Sequence, residues 1–152
     1  MPKTFALFMI VLAASSSHAR QATSISDSEL SLGGIALGDS EQVVLAKLGK
    51  PAQVTDTGDF LNIRLDYPGL TIWLDEGRRV GEILSTTSRQ CSPSGICPGQ
   101  SLSVATAKLG PALVADREDG RFMEYPSAQS ACWLQLAVLK GIIVSVRAEC
   151  QP

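Results

Sequence analysis

Residues 34–49 read Gly34-Ile-Ala-Leu-Gly-Asp-Ser-Glu-Gln-Val-Val-Leu-Ala-Lys-Leu-Gly49, and residues 95–110 read Gly95-Ile-Cys-Pro-Gly-Gln-Ser-Leu-Ser-Val-Ala-Thr-Ala-Lys-Leu-Gly110. Aligned without a gap, nine of the sixteen positions are identical, among them Ser40 with Ser101, Lys47 with Lys108 and Gly49 with Gly110. The match continues downstream once small gaps are allowed: Tyr67-Pro68 with Tyr125-Pro126, Trp73-Leu74 with Trp133-Leu134, and Gly81 with Gly141. Self-similarity on this scale marks a duplicated supersecondary unit. The sequence therefore predicts two units, 30–91 and 92–152, after a leader at 1–19 and an N-terminal extension at 20–29.

Each unit opens on a helix signal. Ser40 and Ser101 follow a glycine and can cap a helix by accepting a hydrogen bond from a free N–H of the first turn. Val44 and Leu48 then share a face, as do Ala105 and Leu109. Gly49 and Gly110 supply the residue after the helix, with Pro51 and Pro111 preventing continuation. A helix of about nine residues is too short to stand alone, so packing must hold it.

Strand signals follow each helix. Phe60, Ile63 and Leu65, then Leu70, Ile72 and Leu74, then Val80, Ile83 and Leu84 are separated by Pro68-Gly69 and Asp75-Glu76-Gly77. The second half repeats this with Phe122 to Tyr125, Cys132 to Leu136 and Ile142 to Val146. The predicted fold is α+β: two tandem helix-plus-antiparallel-sheet repeats packed as one small domain.

The chain's start has the form of a secretory signal, with Lys3, an apolar run from Phe5 to Ala14, and Ser17-His18-Ala19 as a small-x-small cleavage site. The apolar run is about half the ~20 residues that span a bilayer. Cleavage after Ala19 leaves 133 of the 152 residues and, by removing Lys3, moves the formal charge from −2 to −3. No cysteine adjoins the cleavage point, so a lipid anchor is not expected, and the predicted address is periplasmic or secreted. With no basic block longer than Arg78-Arg79, nucleic acid is not an expected partner.

Four cysteines, Cys91, Cys97, Cys132 and Cys150, in a short exported chain indicate disulfides. Of the three possible pairings the sequence favours Cys91 with Cys97, closing a Pro/Gly loop, and Cys132 with Cys150, joining two late strands.

Catalytic chemistry finds little to work with. The only histidine, His18, lies in the leader, which removes Ser/His and Cys/His machinery and the commonest metal ligand. Asp75-Glu76 and Glu118-Asp119 abut glycines and read as solvated turns. Ser40 and Lys47 are two helical turns apart, about 10 Å, so no Ser/Lys dyad forms. No catalytic residue, cofactor or metal is expected. Trp73 and Trp133 read as core residues, whereas Tyr67 and Tyr125, each before a proline at a strand end, read as interface residues.

The pattern Gly38-x-Ser40-x3-Val44-x3-Leu48-Gly49-x-Pro51 resembles the signature of the SmpA/OmlA (BamE-like) superfamily. Two such units in a twice-disulfide-bonded exported chain are also similar to the β-lactamase inhibitory protein family. Ala105 and Ala112 depart from the pattern in the second half, and the lipid-attachment cysteine of BamE-type lipoproteins is absent. The resemblance implies a non-catalytic fold that presents a sheet face and hairpin tips to another protein, possession of a cell-envelope address, and Asp66-Tyr67 as the counterpart of the inhibitor's aspartate-bearing hairpin. The expected function is an exported protein-binding module with Asp66, Tyr67 and Tyr125 at its interface. The alternatives are an inhibitor or immunity protein that blocks an exported enzyme and, disfavoured by the lack of histidine, a small enzyme. The partner's identity and the oligomeric state stay open.

Overall fold

The computed structural model describes residues 22–151, so the leader and its cleavage site lie outside the described residues. A 3-10 turn at Asp27–Glu29 leads to a two-stranded ladder, β1 (Ser31–Leu32) with β2 (Ile35–Ala36), and then to α1 (Glu41–Leu48). Next come β3 (Gln53–Asp56), β4 (Ile63–Tyr67), β5 (Leu70–Leu74) and β6 (Val80–Ser85). After α2 (Leu102–Leu109) follow β7 (Leu113–Arg117), β8 (Gly120–Pro126), β9 (Cys132–Leu139) and β10 (Ile142–Cys150).

The expectation of two tandem helix-plus-sheet repeats is corrected here. Among the described residues all eight long strands form one antiparallel sheet in the order β3-β4-β5-β6-β10-β9-β8-β7, accompanied by two eight-residue helices. The architecture is a mainly β fold built on one large eight-stranded sheet, with the β1–β2 ladder beside it. The reason lies at the seam: a four-stranded half would leave the N–H and C=O groups of β6 and β10 unpaired. Instead Glu82, Ile83, Leu84 and Ser85 pair with Glu149, Ala148, Arg147 and Val146. The core is continuous across that seam, joining Leu65, Ile72 and Ile83 to Tyr125, Leu134 and Val146.

Residues 22–29 are also part of this body rather than an extension. Thr23 and Ile25 donate backbone hydrogen bonds to Pro111 and Pro126, Ile25 is buried, and the Asp27 carboxylate accepts from the hydroxyls of Ser127 and Ser130.

Both helices lie on one side of the sheet, where Val44, Ala105 and Leu109 join the core. Ser40 Oγ accepts from Val43 N and Ser101 Oγ from Ser103 N, at 3.4 and 3.3 Å. Gly49 and Gly110 follow the helices at φ of 77° and 84°, a conformation that disfavours a side chain. Lys47 Nζ donates to Gly34 O and Lys108 Nζ to Ser94 O, so each lysine ties its helix to the preceding loop.

Two strands of the large sheet lacked a sequence signal. β3 and β7 are the sheet's edges, with Val54, Leu113 and Val114 exposed, so neither shows the alternation of a half-buried strand. Phe60, read as part of a strand, stands instead in the β3–β4 loop and is 70% exposed.

Cys91 is bonded to Cys97 and Cys132 to Cys150. Two disulfides fit a periplasmic or secreted protein. Among the described residues no helix is long and apolar enough to cross a membrane.

Candidate functional site

Strand alternation decides what the helix-free face of the sheet displays. On β5, Leu70, Ile72 and Leu74 are buried against the helices, which turns Thr71 and Trp73 to the open side. On β6 the buried Ile83 and Ser85 leave Glu82 and Leu84 facing out, and on β10 Val146 and Ala148 leave Arg147 and Glu149. On β9, Leu134 and Leu136 enter the core, so Trp133 and Gln135 face the other way.

The registers bring these side chains into line. Trp73 pairs with Glu82, Glu82 with Glu149, and Glu149 with Trp133, a single row across β5, β6, β10 and β9. Two carboxylates thus stand side by side at the centre, with an indole on each flank.

The row is braced from below and from one side. Arg147 Nη1 lies 3.3 Å from Glu82 and 3.8 Å from Glu149. Trp133 Nε1 donates to Glu149 at 3.0 Å, while the Arg117 guanidinium sits 5.0 Å from the Trp133 ring centroid. Arg117 is itself held by two hydrogen bonds to Glu124, of 2.9 and 2.7 Å, and Glu124 accepts a third from Gln135 at 2.9 Å. Glu124 and Gln135 are only 3% and 4% exposed, so this network is a fixed part of the floor.

Burial pushes the Glu82 carboxyl above its ordinary value of 4.5; Arg147 pulls against that shift, and the charges of Glu149 and Asp119 add to it.

Walls rise at both ends. The β3–β4 loop is closed by Thr57, whose N–H donates to Asn62 O and whose hydroxyl donates to Leu61 O. It leans on the sheet through Leu61, which packs where a side chain on Gly81 would stand. The opposite wall is the β7–β8 turn with Glu118 and Asp119. Between them lies an open groove of about 910 Å³ whose lining includes Phe60, Trp73, Glu82, Trp133, Arg147 and Glu149.

The residues expected at the interface do not share a surface. Asp66 is on the open face, but its carboxylate is taken by Arg64 at 3.1 Å and Thr71 at 3.3 Å. Tyr67 follows Ile63 and Leu65 onto the helix side, where its hydroxyl donates to Gly49 O at 3.0 Å. Tyr125 is a correction: it is fully buried, and its hydroxyl donates to Gly110 O at 3.0 Å. Its phenol is pushed up by burial, with Thr106 pulling it back. A proline after a tyrosine marks the strand's end, but the tyrosine's face is set by the alternation before it. The same rule places Trp73 and Trp133 on the open face rather than in the core. The signal was present in Leu70-Thr-Ile-Trp-Leu74, where three aliphatic residues claim one side.

No protein-family model and no curated protein matches the sequence. Two solved structures resemble the fold. One is an extracellular protein containing an SCP domain from Bacillus anthracis, with a TM-score of 0.56 and 13% identity over 92% of this chain and 50% of that one. The other is the DUF4309 family protein YjgB from Bacillus subtilis, with a TM-score of 0.53 and 15% identity over 78% of this chain and 83% of that one. The chain spans half the length of the first. At these identities the likeness is one of fold, and neither description links the chain to the SmpA/OmlA superfamily.

Among the described residues no group of three or more His, Cys, Asp or Glu side chains could hold a metal ion. What the groove offers is aromatic surface, fixed carboxylates and a rigid floor.

Proposed function

We propose that the chain is an exported, non-catalytic protein-binding module whose binding surface is the groove on the helix-free face of the sheet. The observation that carries this reading is the position of the chain's two tryptophans, both on the groove floor in one cross-strand row. Tryptophans on an open face supply large apolar contact area at low entropic cost, and such residues dominate the energetics of protein interfaces. Phe60 on the rim adds a further exposed aromatic contact. Export would follow cleavage after Ala19, giving a chain that begins at Arg20 and carries no lipid; the intact mass of the exported form checks this.

The binding reading is tested by photo-crosslinking in cells, with p-benzoylphenylalanine in place of Phe60 on the rim or of Val144, exposed on β10. One discrete adduct from position 60, lost in Trp73→Ala/Trp133→Ala and absent from position 144, is the expected result. Equal labelling from both positions, or adduct formation indifferent to the tryptophans, would rule the groove out.

A further inference from the structure

We infer that the partner's docking segment is basic, and that the groove seats one of its lysine or arginine side chains between Trp73 and Trp133 above Glu82 and Glu149. This rests on the reading of the groove as a protein-binding surface and names the chemistry of what enters it.

Charge is the first argument. The groove is lined by six carboxylates, Asp59, Asp75, Glu82, Glu118, Asp119 and Glu149, and by two guanidiniums. Carboxylates outnumber guanidiniums three to one, and each guanidinium already has a carboxylate beside it. Arg117 is held by the buried Glu124, and Arg147 is shared between Glu82 and Glu149. The surface offered to a partner is therefore acidic, and electrostatic complementarity requires a positive counterpart.

The row's geometry is the second. Glu82 and Glu149 are direct cross-strand partners, an arrangement that is unfavourable for like charges. One guanidinium serves both, at 3.3 and 3.8 Å. A second cation above the pair would reach two acceptors already fixed in place, Glu149 by the Trp133 indole N–H.

The flanking rings are the third. The Arg117 guanidinium already lies over Trp133, so one cation–π contact there is internal, and the Trp73 indole on the other flank is the ring offered to an incoming cation. Trp73 and Trp133 are three strand spacings apart, about 14 Å, leaving room for one protruding loop.

Because both tryptophans of the chain lie in the groove, their two indole N–H signals report on it alone. The experiment titrates the 15N-labelled protein with peptides Gly-Ser-X-Gly-X-Ser-Gly in which X is Arg, Lys, Gln or Glu. Each indole signal is assigned through Trp73→Phe and Trp133→Phe. The expected result is saturable movement of both signals by the Arg and Lys peptides, at least tenfold weaker binding of the Gln peptide, and none of the Glu peptide. Affinity for the Arg peptide should fall tenfold or more in Glu82→Gln/Glu149→Gln, whose backbone spectrum verifies the fold, and should weaken with added salt in the unaltered protein. Equal binding of the Arg and Gln peptides, or indifference to salt and to the double substitution, overturns the basic partner while leaving a protein-binding groove. Movement of the indoles by a neutral oligosaccharide and by none of the peptides overturns both.

Discussion

Glu82 and Glu149 face each other across the β6–β10 ladder, with the Arg147 guanidinium 3.3 Å from the first and 3.8 Å from the second. The contact falls on the seam that joins the two halves of the sheet. A like-charge pair directly opposite on a ladder weakens the pairing it sits on, and here a single guanidinium offsets it for both carboxylates.

Glu82 should therefore cost the fold stability at neutral pH. Its folded carboxyl holds a proton more tightly than the ordinary value of 4.5 allows, chiefly through burial. A raised folded value means that the stability carried by the protonated form is complete below the unfolded value and is lost as pH rises through the folded one. Glu82→Gln mimics the neutral form. It is expected to melt higher than the unaltered protein at about pH 7, with the gap closing below about pH 4. Thermal unfolding across that window checks this, and a variant that melts lower at neutral pH would show that the Arg147 pair outweighs the burial.

Tyr125 makes the opposite case, a residue whose loss damages the fold and not the surface. It is fully buried beside Leu134 on the helix side, and its hydroxyl tethers the end of α2 at Gly110. Removing the ring should cost about 3–5 kcal/mol, whereas Tyr125→Phe should cost about 1 kcal/mol through the hydrogen bond alone. Tyr67→Ala, half-buried with the matching bond to Gly49, should cost less than Tyr125→Ala. Urea unfolding of the three variants gives the order, and a Tyr125→Ala protein of unaltered stability would contradict the burial.

What was legible in the sequence was local chemistry. Ser40 and Ser101 cap their helices, and Gly49 and Gly110 end them, because capping depends on a few neighbouring atoms. The pairing of β6 with β10 was not legible, since it joins residues more than sixty apart and is set by which strands are left with unpaired edges. The groove escaped for a different reason. Its residues come from five strands and their adjoining loops, and Trp73 and Trp133 are large apolar side chains whose default reading is burial; only the aliphatic alternation around them shows the side they occupy. Glu82, Glu149, Arg117 and Arg147 carry no motif spacing, because a cross-strand row is contiguous in register and scattered in sequence.

The Cys132–Cys150 bond closes the groove's end of the β9–β10 hairpin, where the two cysteines are register partners next to the Trp133–Glu149 pair. With a sequence separation of 18, its removal in Cys132→Ala/Cys150→Ala should cost about 3 kcal/mol in the chain-entropy description. The loss should exceed that of Cys91→Ala/Cys97→Ala, whose separation is 6 and whose expected cost is about 2 kcal/mol. Paired denaturation curves decide it, and equal or reversed losses would mean that native-state packing rather than loop closure sets the values.

Gly81 offers a way to move one wall of the groove without touching its floor. It is the extra residue at the irregularity between β5 and β6, where Trp73 pairs with Glu82 and Leu74 with Val80. Its backbone is not in the left-handed region, so alanine is allowed at this position. What alanine would meet is the tip of Leu61, which occupies the space above the glycine. Gly81→Ala should therefore push Leu61 outward and carry the 57–61 loop with it, at a stability cost of about 1 kcal/mol. In a Trp133→Phe background the remaining tryptophan, Trp73, lines the groove together with that loop, so its emission should shift to the red as water reaches it. Leu61→Ala should remove the clash, leaving the added Gly81→Ala with little further effect, a coupling of the kind expected only for residues in contact. If Gly81→Ala leaves both the Trp73 emission and the amide shifts of the loop unchanged, Leu61 does not anchor the wall and the groove's shape is held from elsewhere.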